Sequence, residues 1–170
     1  MKIIGFISAL ILVSFLAIGC VSKTTIPSSP VTIAVWPFED FSLKREQNSP
    51  LLSFMLTNSV IDMIQTNPAL EAVERSRLES ALREQSLGSG VLTDESTRLR
   101  LGRILGAKWM LFGAWQAFGE HVRIDIRIVD TESGRIVAAK DKTINKTTES
   151  QMETSTLNIT HELLSDILKR

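Results

Sequence analysis

Four kinds of residue in this 170-residue chain could carry chemistry: a single cysteine, two histidines, adjacent charged pairs and a glycine-rich turn. Cys20 is the sole thiol, so neither a disulfide nor a multi-cysteine metal site can form within the chain. His121 falls at a hairpin turn, and His161 lies among Asn158, Glu162 and Ser165 on the polar side of a helical pattern. Both therefore read as solvated residues rather than as a general base or a ligand. Glu39 and Asp40 are adjacent carboxylates in a loop, able to grip a cation or a basic partner, although a solvated loop also accounts for them. Glu74 and Arg75 stand at a strand-to-helix junction, where an ion pair or a helix start explains their presence. The LGSG stretch from Leu87 to Gly90 is too short for a phosphate loop and opens onto no Lys-Ser or Lys-Thr pair, so it reads as a helix terminator. Nothing here assembles a nucleophile, a base and an oxyanion site, and the expectation is no catalytic residue, no metal and no cofactor.

Cys20 acquires a chemistry from what precedes it. Lys2 is followed by an apolar run from Ile3 to Ile18 and then by Gly19, the layout of a secretory signal with a positive start and a small residue at the cleavage point. The stretch LAIGC from Leu16 to Cys20 resembles a lipobox, with Ala17 where Leu is preferred. Cleavage is then expected between Gly19 and Cys20, with the Cys20 thiol acylated first and the residue left as the new N-terminus. An uncleaved anchor is the alternative, since sixteen apolar residues approach the lower limit for a span. The expected organisation is a signal peptide over 1–19, a lipidated Cys and tether over 20–30, and one domain over 31–170. The tether, VSKTTIPSSP, is polar and twice interrupted by proline, and its ten residues reach about 33 Å at most. Val21 in place of Asp points to the periplasmic leaflet of the outer membrane.

Nineteen basic residues balance nineteen acidic ones. There is no net positive field to draw nucleic acid, and no nucleic-acid partner is expected. The remaining length suits one domain that buries about two-thirds of its unfolded surface. A β-branched strand over Val31 to Trp36 ends at Pro37, and Phe38 to Ser49 reads as a loop. A helix starts at Pro50 with Leu52, Met55, Leu56, Val60, Met63 and Ile64 as its stripe, and stops at Asn67-Pro68. A short strand over Leu70 to Glu74, a helix over Glu74 to Gln85, and a third helix capped by Thr93 or Asp94 and ended by Gly106 follow.

Residues 108–144 alternate. Trp109, Leu111, Gly113 and Trp115 share one face, a Gly119-Glu120 turn reverses the chain, and Val122, Ile124, Ile126 and Ile128 return on the same face. Trp115 should lie beside Ile124, with Arg123, Asp125 and Arg127 on the solvated face. A second turn at Thr131 to Gly134 leads into Ile136 to Ala139, a register that would set Asp125 opposite Lys140. Met152, Thr156, Ile159, Leu163 and Ile167 describe a last helix. The fold class is α+β, a mixed or antiparallel sheet packed by helices in the order β-α-β-α-α-β-β-β-α.

Several of these segments together resemble the curli-secretion channel family, CsgG, and relatives with a TolB N-terminal-like domain. They are VTIAVWPF, VERSRLESALREQSLGSG, LGRILGAKWMLFGAW and VRIDIRIVDTESGRIVAA, between Val31 and Ala139. The resemblance implies an α+β periplasmic domain, a lipidated N-terminus and, in channel members, a ring that passes unfolded substrate across the outer membrane. Channel members carry one membrane-spanning strand pair in the first hairpin and another after the last strand. Here those places hold the Gly119-Glu120 turn and the polar stretch Lys142 to Thr148, too short for membrane strands of about 9 to 11 residues. The channel constriction comes from the loop after the first strand. Its counterpart supplies a candidate partner-contact loop, Phe38, Glu39, Asp40 and Phe41.

The reading is a non-enzymatic, lipid-anchored envelope protein that acts by protein contact in secretion or envelope assembly, with self-association left open. Two alternatives stand beside it: a regulator of peptidoglycan synthesis resembling the LpoB activators, whose tether is much longer, and a ring-forming secretion channel component.

Overall fold

The computed structural model describes residues 29–44, 48–84, 94–145 and 148–169. Cys20, Gly19 and the LGSG turn lie outside them. Six strands form one mixed sheet, with helices on both faces.

The chain enters at β1 (Val31–Val35), a β-branched run that pairs in parallel on both sides. Pro37 has no N–H to give a ladder, so pairing breaks there. It resumes two residues later as β2 (Glu39–Asp40), which lies beside the same neighbouring strand. The stretch expected to be a loop from Phe38 thus begins as a strand, and the element order gains this one short member. The signal is weak because two residues show no alternation.

Helix α1 (Ser49–Gln65) carries Pro50 in its first turn, and β3 (Leu70–Ala72) follows it. Helix α2 (Arg75–Glu84) leads to α3 (Glu95–Ile104), whose N-cap Asp94 accepts from the Ser96 N–H at 3.1 Å. Gly106 closes α3 with φ of 74°, a conformation costly for residues with a Cβ. Strands β4 (Trp109–Phe118), β5 (His121–Asp130) and β6 (Ile136–Asn145) form an antiparallel meander. Helix α4 (Glu149–Leu168) begins on a Thr148–Gln151 capping box. Along the main path the sheet order is β3-β1-β4-β5-β6.

Two cores follow from strand alternation. On one face Ile33, Val35, Leu111, Trp115, Ile124 and Ile128 pack under Leu56, Val60 and Ile64 of α1 and Ile159 and Leu163 of α4. On the other, Ala34, Trp36, Met110 and Phe112 meet Leu78 and Ala81 of α2 and Leu99 and Leu101 of α3. The expected register holds in the first hairpin, where Trp115 faces Ile124 and Leu111 faces Ile128. The second hairpin departs from it. The Asp130 N–H does reach the Arg135 carbonyl, but a bulge follows: Val129 faces Ile136 while Ile128 faces Ala138. That extra residue shifts every later pair by one. Asp125 therefore faces Asp141, not Lys140, and Lys140 turns to the α4 side, where it pairs with Glu162.

Candidate functional site

The helix layers are unequal, and their mismatch defines the site. Helices α1 and α4 roof the face built on β4 and β5, whereas α2 and α3 cover the opposite face only near β1 and the first half of β4. Among the described residues no helix covers the rest of that face. It forms a trough of about 430 Å³ whose floor includes Phe112, Ala114, Asp125, Arg127, Ala139 and Asp141.

Charge in the trough is organised. Directly opposed like charges on neighbouring strands destabilise a sheet, and Asp125 and Asp141 are such a pair. Arg123 relieves them: its Nη2 lies 2.8 Å from Asp125 and 3.4 Å from Asp141. The hydrogen bond to Asp125, and then the charges of Asp125 and Asp141, make this guanidinium hold its proton more firmly than usual. Arg127 stacks on the Phe112 ring at 5.2 Å and donates to Glu95 at 2.8 Å, tying β5 to the first turn of α3. At the trough margin Arg98 forks both oxygens of Glu39, at 3.0 and 2.7 Å, and lies over Trp36 at 4.9 Å. Bidentate pairing of this kind fixes orientation as well as position.

The four residues of the candidate contact loop separate. Phe38 is only 3% exposed and belongs to the first core, its N–H donated to the Thr57 hydroxyl at 2.9 Å. Glu39 is held by Arg98. Asp40 is buried, accepting from the Ser42 N–H at 2.8 Å and the Ser49 hydroxyl at 2.5 Å. Phe41 alone stands in solvent, 60% exposed at the trough rim. His121 is exposed at the hairpin, beside the Phe118 ring at 5.9 Å, and His161 is exposed on α4. Arg75 pairs with Glu79 one turn on and covers the Phe54 ring at 4.5 Å, while the Glu74 carbonyl accepts from the Arg77 and Leu78 N–H groups. Both residues serve the start of α2. Among the described residues no cluster of His, Cys, Asp and Glu is arranged to hold a metal, and no helix is long and apolar enough to cross a membrane. Sequence reasoning missed the roles of Arg98 and Glu95. Their partners are 59 and 32 residues away, and nothing local announces either pairing.

A sheet with one roofed face and one half-open, charge-ordered face defines a domain of the α+β class. The chain belongs to the family of the curli production assembly/transport component CsgG, whose family model matches residues 17–123. The match takes in β1 to β4 and the first hairpin turn. No curated protein matches. Solved structures share the fold. The LpoB C-terminal domain from Escherichia coli aligns with a TM-score of 0.57 at 11% identity, over 70% of this chain and 85% of that one. The lipoprotein GNA1162 from Neisseria meningitidis aligns with a TM-score of 0.57 at 14% identity, over 76% of this chain and 95% of that one. The Salmonella enterica LpoB C-terminal domain gives 0.55 at 14% identity, over 70% and 85% of the two chains.

Proposed function

We propose that this chain is an outer-membrane lipoprotein, freed of residues 1–19 and held by acyl chains on Cys20. In this reading it acts by protein contact, as an accessory or scaffold in secretion or envelope assembly, and not by catalysis. The observation that carries the contact role is the unroofed half of the sheet, where Arg123, Asp125, Arg127 and Asp141 present ordered charge around small floor residues. Family membership supports an envelope-associated accessory role. A second reading, a regulator of peptidoglycan synthesis, draws support from the fold likeness to LpoB C-terminal domains. The ten-residue tether weighs against it, because such a regulator must reach far from its membrane.

Two measurements test the proposal. Cys20→Ala is expected to abolish labelling by a fatty-acid probe and to leave an uncleaved or soluble chain; unchanged labelling refutes the anchor. For the contact face, a photo-crosslinker at Thr143 on the open face is expected to give a discrete adduct with another envelope protein in intact cells. The same group at Asp62, exposed on α1, should give none. Equal adducts from both positions sink the assignment of the face.

A further inference from the structure

Of the seven large apolar side chains that stand in solvent among the described residues, four gather at one end of the molecule. Leu43 is 95% exposed, Phe41 60% and Phe118 44%, and Leu51 in the first turn of α1 is exposed as well. Hydrogen bonds place them together. The Phe41 N–H donates to the Trp115 carbonyl at 2.9 Å and the Ala117 N–H to the Ser42 hydroxyl at 2.8 Å, which sets the chain at Leu43 alongside the end of β4 at Phe118. The Ser49 hydroxyl donates to Asp40 and brings the start of α1 to the same end. The opposite end of the sheet is where β1 begins, beside Ala69 and Lys108.

We infer that the corner made by Phe41, Leu43 and Phe118 seats in the lipid surface that holds the Cys20 anchor. The inference rests on the lipid-anchor reading. Its geometric basis is reach. From Val31 to Phe41 the broken strand β1–β2 runs ten residues, about 33 Å at the rise of a strand. The ten residues from Val21 to Pro30 extend to about the same 33 Å. A tether of that length lets the apolar corner and the Cys20 anchor meet a single bilayer surface. Because the anchor is permanent, the second contact is intramolecular, and a weak apolar affinity is enough to populate it.

Two other occupants fit less well. A stable pairing with a second copy needs about 800 Å² from each partner, more than three or four side chains supply. A partner protein would have to provide a pocket for Leu43, which protrudes almost free of the molecule, whereas acyl chains close around any shape. The corner's contact would be made by apolar side chains, so lipid charge should matter little.

The mature lipidated chain has no free thiol once Cys20 is acylated, so Leu43→Cys can carry a single polarity-sensitive NBD probe. In phosphatidylcholine vesicles its emission is expected to rise and to be quenched by spin-labelled lipid, with no change on adding salt. Phe118→Cys should behave alike, and Glu132→Cys, at the far hairpin, should stay water-like. Water-like emission from both corner positions in vesicle-bound protein overturns the inference. Shielding that vanishes below one chain per vesicle reveals a second copy and overturns it too. Absence of acyl mass on Cys20 removes the anchor reading itself, and mass spectrometry shows this before any probe is attached.

Discussion

At Gly113 the sheet has no room for a side chain: a Cβ there would lie 2.2 Å from the Phe38 ring. The glycine lets the Phe38 ring, just ahead of β2, pack against the middle of β4. Gly113→Ala is expected to destabilise the domain by about 1–3 kcal/mol through overpacking, read from denaturant midpoints. Adding Phe38→Leu should restore some of the loss, and strictly additive losses would show that the two positions do not meet. Trp115 tests the same core from the opposite direction. It is buried under α1, and its indole N–H donates to the Ser53 hydroxyl at 3.1 Å. Trp115→Ala should cost about 3–5 kcal/mol by leaving a cavity. Trp115→Phe, which keeps most of the apolar volume, should cost clearly less by the same measurement. The role of Trp115 was legible in sequence because strand alternation and the tight turn fixed its neighbours. That of Phe38 was not, since its contact depends on a strand too short to show a period.

Among elements, the two hairpins show where periodicity informs and where it fails. The Gly119-Glu120 turn is two residues long, so its register follows from counting and the pairing of Trp115 with Ile124 is readable in advance. The longer Thr131–Gly134 turn has its own internal bonds. Asp130 accepts from the Ser133 N–H at 2.8 Å and from the Ser133 hydroxyl at 2.7 Å, and Gly134 takes a φ of 68°. The bulge beyond it consumes one residue, which no hydrophobic pattern in an exposed edge strand could reveal. These bonds also give the hairpin a pH signature. The Ser133 N–H, then its hydroxyl, hold the Asp130 carboxyl below its ordinary range. A depressed carboxyl contributes stability that is present at neutral pH and is lost as pH falls through its folded value. The stability gap between the wild-type chain and Asp130→Ala is therefore expected to be constant near neutrality and to close below about pH 4. Thermal melts from pH 7 to pH 2 check this, and a gap that widens on acidification would contradict the assigned hydrogen bonds.

For the whole molecule, the shortness of the β4–β5 turn predicts that the purified protein forms no pore by itself. Arg123, Asp125 and Arg127 line the uncovered face, and Arg at a bilayer midplane costs about 2–4 kcal/mol. Planar bilayers containing the purified protein are expected to show no stepwise conductance; reproducible single-channel openings would return the chain to the channel class. The arrangement of β1 has a mechanical side. The chain enters the sheet at the leading end of a strand flanked by β3 and β4, both parallel to it. A pull exerted through the N-terminal connection is directed along β1, so the ladders on its two sides share the load in shear. Their hydrogen bonds must break together, whereas an outermost strand peeled from its edge would release them in succession. Force applied between the start of β1 and the far end of the sheet thus meets the domain in shear rather than by peeling.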